Sequence, residues 1–273
     1  LATRCEVSFP SADVVAIEKV HRYAARVLQL YVDKFVRMKE REAEAAHAQP
    51  GLLRETHRTH EYRITVQETS ESRNLLSRIT ALLGSKELMH DGEWGLPRLC
   101  WDRSLFIPLL YEGDSTWQEH VTVSPPPLNR SEAAVVRHLR RYWEKHHDDP
   151  KYAETEVFLL RNNPRTGIGM FARSGFYPDF VLWICDRASG TARVVFLDPH
   201  GLVHEKVENN DRFAAIETLR AMGRADAFAE RGISLDGYIL APAGTPVMDI
   251  TTSDRTWTEL ERQYPLLQQD DQG

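Results

Sequence analysis

The chain has 273 residues, 42% of them hydrophobic, and a formal net charge of −6, which provides for a substantial core in one large domain or two ordinary ones. No run approaches the roughly 18 to 20 uninterrupted apolar residues of a membrane helix, and the first residues lack the basic-then-apolar order of a signal peptide, so a cytoplasmic protein with no membrane partner is expected. Cys5, Cys100 and Cys185 lie far apart and are odd in number, which argues against a disulfide framework or a zinc site, and the acidic balance argues against a surface dedicated to nucleic acid.

The first residue is Leu1 rather than methionine, and a helical pattern follows closely, as in a piece of a larger protein. Between residues 11 and 46, Val20, Ala24, Val27, Tyr31, Phe35 and Met38 recur at spacings of three and four, the period of a long helix with one buried stripe. Pro50 and Gly51 end it. Tyr62, Ile64 and Val66 alternate as in a strand, Leu75, Ile79 and Leu82 return to helical spacing, and residues 84–100 read as a connector. Residues 105–111 and 120–123 are strand candidates. His47, His57, His60 and His90 lack metal-ligand spacing and read as surface histidines.

Pro125, Pro126 and Pro127 can continue neither a ladder nor a helix. They mark an expected boundary between a helical and α+β connecting region, 1–125, and a second domain, 126–273. Beyond the prolines the pattern reads helix (131–147), strand (155–161), strand (177–184), strand (193–198), helix (212–222) and strand (235–241). That order, αβββαβ, predicts an α/β fold with a mixed central sheet. Its first helix carries Arg137, His138, Arg140, Arg141, Lys145, His146 and His147, a basic run that suits a solvated face as well as a phosphate-facing one.

Chemistry concentrates on two acids. The segment 177–184 is apolar apart from Asp179, as in a central strand covered on both faces, and the next apolar run, 193–197, ends on Asp198. Ser189 and Gly190 supply the break between them. Two paired strands with one aspartate each at the same mouth bring the carboxylates within reach of a shared divalent cation. Burying two like charges without compensation is costly, and Mg²⁺ needs only one or two carboxylates beside its waters. Asp179, Asp198 and the carbonyl of Pro199 form the expected ligand set for Mg²⁺ or Mn²⁺.

The run Tyr177-Pro178-Asp179, followed nineteen residues after its aspartate by Asp198-Pro199-His200, resembles the signature of the PD-(D/E)xK nuclease superfamily. Residues 158–162 (Phe-Leu-Leu-Arg-Asn), 167–169 (Gly-Ile-Gly), 175–180 (Gly-Phe-Tyr-Pro-Asp-Phe) and 196–202 (Phe-Leu-Asp-Pro-His-Gly-Leu) are similar to the C-terminal nuclease region of DEAD/DEAH-box helicase proteins related to type III restriction subunits. The resemblance spans residues 130 to 242. It implies a restriction-endonuclease-like core and a metal-dependent DNA endonuclease domain within a larger helicase-containing restriction or anti-phage defence protein. Any ATPase motor lies outside this chain, which has no Walker A pattern.

The resemblance also implies an acid on the first helix, matched by Glu132; Asn129 three residues earlier equally makes Glu132 the acid of a capping box. Where the family has a lysine the chain has His200, a group that is able to act as a base or a cation near neutral pH. Lys206 is a second candidate for a displaced cation, and Arg161 and Arg173 are candidate phosphate contacts. The alternative is a degenerate nuclease-like fold acting as a DNA-clamping or protein-docking module.

Overall fold

The structure, a computed structural model, describes residues 22–32, 35–36, 39, 62–67, 69–92, 96–113, 121–163, 168, 177–199, 211–241 and 256–268. The first helix, α1, is described over residues 22–32. Its stripe is not buried as the periodicity predicts: Tyr23, Val27, Leu28, Leu30 and Tyr31 are each more than 60% exposed. The spacing specifies which face seeks a partner and says nothing of where the partner lies, and nothing among the described residues covers this face.

A small layer follows. β1 (Arg63–Val66) pairs antiparallel with β4 (Val121–Ser124), and α2 (Ser70–Leu83) packs Ile79 and Leu75 against them. Thr69 starts α2 as one half of a capping box completed by Ser72. The expected strand over 105–111 is shorter than predicted. A single 3-10 turn (Asp102–Ser104) precedes it, β3 (Leu109–Leu110) pairs with β2 (Arg98–Leu99), and Leu105 and Tyr111 make single bridges to Leu159 and Leu128.

The main body is an α/β unit around a mixed five-stranded sheet. α3 (Arg130–His146) leads into β5 (Thr155–Arg161), β6 (Phe180–Asp186) and β7 (Thr191–Asp198). Then come α4 (Asp211–Met222), a single turn α5 (Asp226–Ala229) and β8 (Ile233–Ala241). Two elements beyond those expected close the unit: α6 (Trp257–Gln263) and β9 (Leu266–Gln268). The strand order is β5-β6-β7-β8-β9; β5, β6 and β7 are antiparallel neighbours, while β7, β8 and β9 are parallel.

Side chains alternate across the sheet as the pleat requires. Leu159, Phe180, Leu182, Val195, Leu197 and Leu240 face α3, whose Ala133, Val135 and Val136 complete that core. Val181, Phe196, Ile239 and Ala241 face the other way, onto Phe213, Ile216 and Leu219 of α4 and Leu260 of α6. Close approach of α4 to β8 relies on Gly237, where a Cβ would stand 3.2 Å from Ile216. Leu99, Trp101, Leu105 and Leu109 join the α3-facing core, and Leu128 accepts the Glu112 N–H and donates to Leu110 (2.9 and 2.8 Å). Segments before and after the three prolines therefore share one core. Among the described residues no helix is long and apolar enough to cross a membrane.

Candidate functional site at the end of the sheet

The ladder register decides the site. Arg161 is opposite Phe180, and Phe180 opposite Leu197, so one step further on Asn162, Asp179 and Asp198 stand abreast at the sheet's mouth. Pro178 has no N–H to donate, which fits β6 starting only at Phe180 and leaving Asp179 in the approach to the strand. The Asn162 backbone N–H donates to the Asp179 carbonyl at 2.8 Å. Its side-chain amide donates to the carbonyls of Pro178 (2.9 Å) and Ile168 (2.6 Å) and accepts the Ile168 N–H (2.8 Å). Asn162 is buried at 4% exposure, and it fixes the chain on the N-terminal side of Asp179 through backbone contacts.

By alternation Asp179 and Asp198 continue the row that faces α4, and Arg161 continues the row that faces α3. Two flanking pairs follow from this. Arg212, in the first turn of α4, places Nε 3.1 Å from Asp198 Oδ2; Arg161 places Nη2 3.9 Å from Glu132 Oε2. Glu132 also completes the capping box of α3: its Oε2 accepts the Asn129 N–H at 2.9 Å while Asn129 Oδ1 accepts the Glu132 N–H at 3.0 Å. Three acids and two guanidinium groups thus meet at one end of the sheet.

Their electrostatics show a site short of positive charge. Asp179 is pushed up to about 7, first by burial, then by the neighbouring Asp198 charge and the hydrogen bond between the two carboxyls, against the pull of Arg212 and Arg161. Asp198 is also raised by burial, opposed by Arg212 and by the hydrogen bond from Asp179. Both carboxyls are thus harder to ionise than an isolated carboxyl, and they titrate as a pair, with Asp198 facing Arg212. Glu132 is raised as well, by burial first, with its Asn129 hydrogen bond and Arg161 opposing and Asp179 reinforcing.

The donor set suits a hard cation. Among the described residues it contains oxygen ligands and no thiol or imidazole, and a small divalent ion would supply the positive charge that the paired carboxyls lack. Asp179 and Asp198 would hold it, with the adjoining Pro199 carbonyl and water completing the shell. Among the described residues no group of three His, Cys, Asp or Glu side chains stands in a metal-binding arrangement.

No family model, curated protein or solved structure matches this chain. The site is therefore judged on its own geometry. That geometry gathers Glu132, Arg161, Asp179, Asp198 and Pro199; Arg173, His200 and Lys206 lie outside the described residues. The basic run on α3 is partly committed elsewhere. Arg140 bonds Asp91 and the Cys100 carbonyl (2.7 Å) and pairs with Glu144, while Arg137 stacks 4.6 Å over Tyr111. Sequence reasoning missed Asn162 and Arg212. Asn162 had the weak signal of an amide, followed by Asn163, just beyond an apolar strand; Arg212, fourteen residues after its partner Asp198, had none.

Proposed function

We propose that the sheet-end cluster is the centre of a divalent-metal-dependent deoxyribonuclease, built on a restriction-endonuclease-like αβββαβ core and working within a larger helicase-containing restriction or anti-phage defence protein. One observation carries this reading: two carboxyls, the buried Asp198 and the half-buried Asp179, stand abreast at the mouth of the antiparallel β6–β7 pair, where their like charges call for a cation. The elements α3, β5, β6, β7, α4 and β8, with the single turn α5 between the last two, support this reading by following the αβββαβ order that the resemblance implies.

When bound there, Mg²⁺ or Mn²⁺ supplies a Lewis acid for the phosphodiester and lowers the pKa of a coordinated water. Asp179 and Asp198 would hold the ion, and Asn162 holds the backbone of Asp179. Glu132 and Arg161 brace the α3 side of the pair. His200, two residues beyond Asp198, takes the place of the family's lysine and receives a proton from the attacking water. The water oxygen bonds to phosphorus as one P–O ester bond breaks, leaving a phosphate monoester and a hydroxyl. Arg173 and Lys206 remain the candidate phosphate contacts of the sequence reading.

A plasmid-nicking assay with Mg²⁺ or Mn²⁺ tests this, comparing the parent with Asp179→Ala, Asp198→Ala and His200→Ala, alone and with the helicase part supplied. Metal-dependent nicking that drops at least about a hundredfold in both aspartate variants is expected. Nicking that persists unchanged in both removes the site. A parent that binds metal and DNA but never nicks, even with its helicase partner, assigns the chain to the docking alternative.

A further inference from the structure

We infer that Arg212 is a substrate-contacting residue, paired with Asp198 in the metal-free site and transferred to the non-bridging oxygens of the phosphodiester when a divalent cation takes Asp198. This rests on the nuclease reading of the same site. Two cations flank the carboxylates, and their settings differ. The Arg161 side chain is 11% exposed and turned to Glu132, inside the α3 face. The Arg212 side chain is 36% exposed, yet its Nε lies 3.1 Å from Asp198, which is itself only 6% exposed. Arg212 alone of the two spans from the buried pair to the solvent, where a polymeric substrate would lie.

Charge gives the exchange its direction. Glu112, whose charge also bears on Glu132, together with Glu132, Asp179 and Asp198 fully ionised against Arg161 and Arg212 leaves two net negative charges, a poor host for a phosphodiester. A divalent cation brings that to neutrality, and without Arg212 the same site keeps one net negative charge. The cation also competes with Arg212 for the Asp198 carboxylate. The displaced guanidinium presents a planar fork of donors that matches the phosphate oxygens. Its position in the first turn of α4 fixes its reach, because the helix is held on β8 through Ile216 and Leu219.

The test uses the full 273-residue chain, folded state checked by circular dichroism. Mn²⁺ binding is measured by titration calorimetry at about pH 8.5, where proton competition is small, and duplex DNA binding is measured in Ca²⁺. With its competitor gone, Arg212→Gln binds Mn²⁺ about threefold to tenfold more tightly. It binds DNA about tenfold more weakly in Ca²⁺. Arg212→Lys, which keeps the charge and loses the fork, leaves Mn²⁺ affinity near the parent value and recovers DNA binding only in part; it carries the test alone if the glutamine variant does not fold. Parent-like DNA affinity in both variants, with Mn²⁺ bound by all, overturns the role of Arg212 and leaves the metal centre standing. A parent that binds no Mn²⁺ overturns both.

Discussion

Replacing Asp179 with asparagine should stabilise the protein above neutral pH and leave it nearly unchanged in acid. Asp179 titrates near 3.8 when unfolded and at about 7 when folded, so the folded state binds the proton more tightly. Its stabilising contribution is therefore complete below about pH 4 and is lost as pH rises through about 7. A rise of about three pH units corresponds to at most about 4 kcal/mol. Titration as a pair with Asp198, and the opposing pull of Arg212 and Arg161, lower the expectation to about 2 to 4 kcal/mol. Asparagine has nearly the shape of the protonated acid and offers an N–H to Asp198 without ever ionising. Urea unfolding of parent and Asp179→Asn from about pH 4.5 to about pH 8, free of divalent ions, should show two stabilities that coincide in acid and diverge by that amount in base. A difference that stays constant across the range would refute the paired-carboxyl account.

Further outcomes follow from the same contacts. Asn162→Ala strands the amide partners on Pro178 and Ile168 and should lower stability by about 2 to 4 kcal/mol, read by thermal denaturation; a loss under 1 kcal/mol would contradict the pinning role. Asp236 is held below the usual carboxylate range: burial pushes it up, but hydrogen bonds from Arg193, Arg220, Gly237 and Tyr238 outweigh burial. That stability is present above its unfolded pKa and lost as pH falls through its folded one, so Asp236→Ala should cost about 1 to 2 kcal/mol near neutrality and less in acid, by urea unfolding at both pH values. Mg²⁺ at about a hundred times its Kd should stabilise the parent by about 2.7 kcal/mol and EDTA should reverse it, with no shift in Asp198→Ala; an equal shift in that variant would move the ion elsewhere.

Most of the sheet was legible because its signals are local. Continuous apolar runs marked β6 and β7, and the proline before Asp179 and the aspartate closing 193–198 set where each ladder stops. A hairpin register then forces the two acids abreast. Arg212 was illegible for the opposite reason. Its contact with Asp198 is made across a crossover from β7 to α4 whose geometry no local pattern encodes. The elements α6 and β9 escaped because seven and three residues are too few for a period to emerge. At α1 the period was legible and burial was not, since amphipathicity records a demand for a partner rather than its presence.

Glu132 was open to two readings, a cap for α3 or an acid of the site, and the structure makes them compatible. One carboxylate closes the capping box through Oε2 and stands 3.9 Å from Arg161, while its charge opposes ionisation of Asp198. The start of α3 is thereby tied to the charge state of the sheet mouth. Substitution separates the two roles, because glutamine at the third helical position caps as glutamate does but carries no charge. Glu132→Gln should keep stability at neutral pH within about 0.5 kcal/mol, whereas Glu132→Ala should lose about 1 kcal/mol with the cap. With one negative charge removed, the Asp179–Asp198 pair ionises at lower pH. The fall in stability, which begins near pH 4 in both proteins because the unfolded carboxyls are the same, should then end at lower pH and be smaller in Glu132→Gln than in the parent, measured by the same urea series. If the glutamine variant keeps the parent's pH profile, Glu132 acts on α3 alone and the acid cluster reduces to the two aspartates.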